Sequence, residues 1–147
     1  MKKAFQYKIP RGARKIVSTA VHISKEKENL SGQVNGYSAS EPEERLANAS
    51  RRYGDFIFQV DLNGYPGQPG HKTLDFLFMS RGRVLAVEVD ETSFIHRGEI
   101  SGQDPDDLLR LDGLAKYGYT VDKIIHIDAT KVADKDIAQR TAQELFE

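Results

Sequence analysis

The sequence predicts an α/β domain preceded by a basic N-terminal arm. An apolar two-strand pattern spans residues 73–90, helix patterns with capping signals lie on either side of it, and a further strand and an amphipathic stripe close the chain. Read in order, the pattern is α-β-β-β-α-β-α, which predicts a mixed central sheet flanked by helices.

The compact domain is expected over residues 40–147. Ser40-Glu41-Pro42-Glu43 has the spacing of a capping box, with Pro in the first turn, so a helix starts here and runs to about Tyr53, where Gly54 closes it. Phe56 to Leu62 is rich in β-forming residues and reads as a strand. Gly64 to Gly70 holds three Gly and two Pro and reads as a loop. Thr73 to Ser80 and Arg83 to Asp90 are two strands around Arg81-Gly82. Asp104, with Pro105 behind it, opens a helix that runs to Tyr117 and stops at Gly118. Val121 to Asp128 is the fourth strand. Ala133 to Phe146 is the last helix, with Ile137, Ala138, Thr141, Ala142 and Leu145 on one stripe. Residues 1–39 read differently, as an arm or an extra strand (Ile16 to Ile23), with Ser31 to Ser40 as a Gly/Ser/Asn-rich linker.

The central hairpin concentrates acids. A two-residue turn at Arg81-Gly82 sets the register, pairing Ser80 with Arg83, Leu77 with Ala86, Asp75 with Glu88 and Thr73 with Asp90. Alternation then places Asp75, Glu88 and Asp90 on one face, and Leu74, Phe76 and Phe78 on the other with Leu85, Val87 and Val89. Like charges facing each other across a sheet destabilise it, and buried carboxylates need a cation or a proton. The pattern therefore predicts a divalent-metal site with Asp75, Glu88 and Asp90 as ligands, Mg²⁺ or Mn²⁺ being the ions that suit carboxylates and water. The alternative is an exposed face on which the acids are merely solvated. Glu43 has two readings of equal standing, capping carboxylate and site carboxylate, and Glu44 is a fallback on the neighbouring helix face.

Composition narrows the classes. The chain has 147 residues, 39% apolar and 29% charged, which suits one globular core. It has no cysteine, which excludes disulfides, thiolate zinc sites and a cysteine nucleophile. No apolar run reaches membrane-spanning length and no signal-peptide core follows Met1, so a cytoplasmic, or virion-associated, protein with no membrane partner is expected. The net charge of −1 is uneven. Of the 21 basic residues, six (Lys2, Lys3, Lys8, Arg11, Arg14 and Lys15) fall in the first 15 positions with no acid among them, leaving 15 against 22 acids in the other 132 positions. A basic arm on an acidic body fits a nucleic-acid backbone or an acidic protein surface, and a solvated terminus is the plain alternative.

In order, Glu43-x-x-Leu46, the strand Phe56-Ile57-Phe58-Gln59, Leu74-Asp75-Phe76, Val87-Glu88-Val89-Asp90, His96, and a helix with Asp107, Arg110, Leu114 and Gly118 resemble the PD-(D/E)XK nuclease superfamily. The similarity is greatest to its small branch of proteins like very-short-patch-repair endonucleases, and it covers residues 40 to 146. The resemblance implies a restriction-endonuclease-like αβββαβ core and Mg²⁺-dependent phosphodiester cleavage in DNA. It implies Asp75 as principal metal ligand, Glu88 as second carboxylate and Asp90 at the usual lysine position. Glu43 would be the helix-borne acid, and Gln59 would hold water or backbone at the site. Glu91-Thr92 departs from the Gly that the branch has after its Asp. The superfamily's strand lysine is missing, so proton transfer falls to His96 or to Lys72 from the preceding loop. Arg110 is a candidate phosphate clamp, with pairing to Asp106 or Asp107 as the ordinary outcome. His126, in an apolar strand, reads as a packed histidine. An endonuclease or nickase is the leading expectation. A catalytically inactive module in a phage particle or other DNA-handling assembly, docked through the arm, and a non-catalytic DNA binder are the alternatives.

Overall fold

The computed structural model describes residues 28–91 and 104–147. The chain divides into two units, Met1–Ser31 and Gly32–Glu147. Residues 28–31 alone are described in the first, so the basic arm, the strand expected over Ile16 to Ile23, and His96 lie outside the described residues.

The second unit is mixed α/β. Its elements are β1 (Gln33–Val34), β2 (Tyr37–Ser38), α1 (Glu41–Ser50), a 3₁₀ turn (Arg51–Tyr53), β3 (Asp55–Leu62), β4 (Lys72–Ser80), β5 (Arg83–Asp90), α2 (Pro105–Lys116), β6 (Ile124–Asp128), a second 3₁₀ turn (Ala129–Val132) and α3 (Lys135–Phe146). A four-stranded sheet runs in the order β3-β4-β5-β6. Both β3–β4 and β4–β5 are antiparallel, and β5–β6 is parallel. Tight turns suffice for antiparallel neighbours, whereas the parallel pair needs a crossover, which α2 supplies.

Helices cover both faces of the sheet. On one, Phe58, Phe76, Phe78, Val87, Val89 and Ile127 meet Leu46 and Ala47 of α1 and Ala138, Ala142 and Phe146 of α3. On the other, Leu62, Leu74, Leu77, Ala86 and Ile124 meet Leu114 of α2. A Cβ on Gly113 would stand 2.9 Å from Leu62 Cβ, so that glycine lets α2 lie close to the end of β3. The capping box forms as expected. Ser40 Oγ accepts from the Glu43 N–H at 3.3 Å, and Glu43 Oε1 accepts from the Ser40 N–H at 2.9 Å. Asp104 caps α2 through the Asp107 N–H.

Three expectations need correction. Ser31 to Ser40 is not a linker throughout: β1 and β2 form a small hairpin that buries Val34 in the first cluster, and the compact unit begins at Gly32 rather than Ser40. Glu44 anchors this hairpin, its Oε1 accepting from the Gly32 N–H at 2.8 Å. Second, β6 starts at Ile124 rather than Val121, and a 3₁₀ turn separates it from α3. Third, Leu74 packs with Leu77 and Ala86, not with Phe76 and Phe78. The change runs across the β3–β4 ladder. Gln59 has φ +59°, a left-handed conformation, and the recorded pairs pass from Phe58–Phe76 to Val60–Leu74. Phe56 and Phe58 pack on the first face, Val60 and Leu62 on the second. Both strands therefore change face at the level of Gln59 and Asp75, with no shift in their register.

Candidate carboxylate site

The β4–β5 ladder follows the expected register from Ser80–Arg83 as far as Phe76–Val87. Beyond it the carboxylates themselves hold the strands. The Asp75 N–H donates to Glu88 Oε2 at 2.7 Å, and the Val89 N–H donates to Asp75 Oδ2 at 2.9 Å. Asp75 and Glu88 thus stand together, clasped side chain to backbone in both directions. Gln59 with its left-handed backbone sits at the matching level of β3. Such conformations cost energy and concentrate where local geometry is under functional constraint.

Glu43 reaches the same place from α1. Its carboxyl contacts Asp75 by hydrogen bond and adds like charge there, while also closing the capping box. The two sequence readings of Glu43 are therefore compatible. Burial, the Glu88 charge and the Glu43 charge together push the Asp75 carboxyl up to about 8, against the lowering effect of the Val89 N–H. Burial also raises Glu88, although the Arg110 guanidinium and the Asp75 N–H pull it down.

Arg110 of α2 connects this group to a second one. Its Nε donates to the Thr73 carbonyl at 2.7 Å, Nη1 reaches Asp107 Oδ1 at 2.8 Å, and Nη2 lies 3.5 Å from Glu88 Oε1. Asp107 is buried, and its other oxygen lies 2.6 Å from His126 Nε2. His126 Nδ1 in turn faces Asp90, at 3.2 Å from Oδ1 and 3.1 Å from Oδ2. A continuous polar chain therefore runs Glu43–Asp75–Glu88–Arg110–Asp107–His126–Asp90. Burial lowers the His126 imidazole, but hydrogen bonds and charge from Asp107 and Asp90 outweigh it and raise the group above its ordinary value.

Asp75, Glu88 and Glu43 come together, and Arg110 joins them. Asp90 lies near enough to Glu88 to raise it, yet its carboxylate serves His126. Lys72 pairs with Asp106 at 3.0 Å. Among the described residues, no group of three or more His, Cys, Asp or Glu gathers as a metal-ligand set. Sequence reading missed Asp107 and His126 as parts of one network. The i,i+3 spacing of Asp107 and Arg110 was visible, but His126 enters only through the parallel register that sets it beside Glu88. Among the described residues no helix is long and apolar enough to cross a membrane. Comparison with protein-family models, with curated proteins and with solved structures finds no match for this chain.

Proposed function

We propose that the chain is a restriction-endonuclease-like domain that hydrolyses phosphodiester bonds of DNA with a divalent metal, as an endonuclease or nickase. The observation that carries this reading is the convergence of Glu43, Asp75 and Glu88 where the β4–β5 ladder gives way, with Asp75 pushed up to about 8. Neighbouring half-buried carboxyls with a single guanidinium beside them favour binding a proton or a cation, and oxygen donors of this kind suit Mg²⁺ or Mn²⁺ with water completing the shell. Asp75, Glu88 and Glu43 would hold the ion. When bound, it would acidify a water and neutralise charge building on the phosphate. Arg110, steadied by Thr73 and Asp107, would meet a non-bridging phosphate oxygen. Asp90 would act one step away, by orienting His126.

The test is to incubate the chain with supercoiled plasmid and Mg²⁺ or Mn²⁺ beside an Asp75→Ala control. Nicking that vanishes in the control is the expected outcome. No nicking with either metal, together with no metal-dependent rise in Tm, would sink the proposal.

One observation favours a second reading, a nuclease-like fold serving as a non-catalytic module. The carboxylates already have internal donors, Asp75 from Val89 and Glu88 from Asp75 and Arg110. In that case metal leaves Tm unchanged and Asp75→Ala costs about 1–3 kcal/mol through the orphaned Val89 N–H.

A further inference from the structure

The end of the sheet away from the carboxylates has the opposite charge. Arg81 lies in the β4–β5 turn and Arg83 follows it, and Arg51 and Arg52 begin the 3₁₀ turn that leads into β3; all four are exposed. The register brings these segments together. Asp55 pairs with Met79, and Ser80 Oγ donates to the Tyr53 carbonyl at 2.8 Å. Arg45, Lys72, Arg110 and Lys116 each pair with a carboxylate, whereas among the described residues none of these four arginines does. Arg51 instead binds Asn35 Oδ1 and lies over the Phe56 ring at 5.1 Å. Arg52 donates to Tyr53 Oη and lies over that ring at 5.0 Å. The acids at this end are Asp55, which is exposed, and Glu147, whose carboxylate accepts from Tyr53 Oη.

We propose that this arginine end is a contact surface for the phosphate backbone of duplex DNA. The guanidinium fork matches phosphate geometry, and stacking on Phe56 and Tyr53 already restrains two of the forks, so less freedom is lost on binding. A tight turn with exposed Arg within it and directly after it suits approach to a grooved polyanion. An acidic protein would call for an apolar centre, and the exposed large hydrophobics (Tyr37, Ile57, Tyr65, Leu108, Leu109 and Tyr117) include none from the two arginine segments. Asp75 and Ser80 are five residue steps apart along β4, about 17 Å, which is about five base-pair steps along the axis of a B-form duplex. The partner is the one in the proposed activity, but the residues are different, so either idea can fail alone.

The experiment is fluorescence anisotropy of the full chain with a labelled 20-base-pair duplex, across a salt series without divalent metal. Arg81→Ala/Arg83→Ala and Arg51→Gln/Arg52→Gln are each expected to weaken binding about tenfold or more at 0.1 M salt. Each pair should also lower the log Kd–log salt slope by about 1.8, from about 0.9 per phosphate contact. Lys135→Ala/Arg140→Ala, a pair of exposed basic residues on α3, titrated alongside, is expected to bind as the parent does. Unchanged Kd and slope when all four arginines are replaced would overturn the proposal, as would polyglutamate competing as well as DNA at equal charge.

Discussion

The two acidic groups that Arg110 joins are built from the same residue types and have different surroundings. Glu43, Asp75 and Glu88 share one partial cation, Arg110, and Asp75 is pushed up to about 8. Asp90 and Asp107 enclose His126 at 3.1 and 2.6 Å, and although burial lowers that ring, their hydrogen bonds and charge raise it above its ordinary value. The second group has both Arg110 and His126 against its carboxylates, whereas Arg110 alone approaches the first, at 3.5 Å from Glu88. A carboxylate cluster becomes receptive to an external cation when the fold withholds an internal one, so the difference between these neighbours, rather than the number of acids, points to Asp75.

Removing the hinge between the two groups should have the largest effect. Asp107→Ala takes a buried acceptor from both Arg110 and His126, leaving a guanidinium and an imidazole short of a partner; a loss on the order of 3–5 kcal/mol in urea unfolding is expected. A loss below 1 kcal/mol would mean that the two groups are independent.

Next in size is the pH dependence. The folded chain holds a proton on Asp75 that the unfolded chain, with an ordinary value of 3.8, releases. Stability from this group is therefore complete below about pH 4 and falls as pH rises to about 8, by several kcal/mol. His126 is also raised, so its contribution is complete below 6.5 and is lost as pH climbs through the folded value. Urea melts from pH 4 to 9 should show Asp75→Asn removing the largest share of the decline, from about pH 4 upward, and His126→Asn removing only a share above 6.5. Saturating Mg²⁺ should mimic Asp75→Asn if the proposed metal site is correct. A decline unaltered by Asp75→Asn would remove the contrast between the two groups.

The smallest effect tests the backbone that opposes Asp75. Gln59→Gly relieves a left-handed conformation and should stabilise the fold by about 1 kcal/mol, whereas Gln59→Val should destabilise it by about 1–2 kcal/mol. Thermal melts of both variants measure the difference, and equal Tm values would show that Gln59 carries no strain.

Much of this was legible in the residues. The capping box at Ser40, the Pro105 helix start and the Arg81-Gly82 turn are local signals whose geometry depends on a few neighbouring residues, and each appears where the pattern places it. From the turn alone followed the register that brings Asp75 to Glu88. The errors share one physical origin. Leu74 changes faces at the level where Gln59 turns left-handed, and nothing in a Phe-Ile-Phe-Gln-Val run announces either. Residues 33–38 fold because Val34 finds a core and Glu44 finds the Gly32 N–H, both supplied by α1.

The sequence by itself determined the order of elements, the hairpin register and the meeting of Asp75 with Glu88, because chain-local sterics and turn length set them. Tertiary structure alone decided which acids remain short of positive charge. The parallel placement of β6 brings His126 to Asp90, and the docking of α2 brings Arg110 and Asp107 between the two groups. Charge compensation acts through space at about 3 Å, between residues as far apart in the chain as Asp90 and His126, and the order of residues along the chain does not encode that distance.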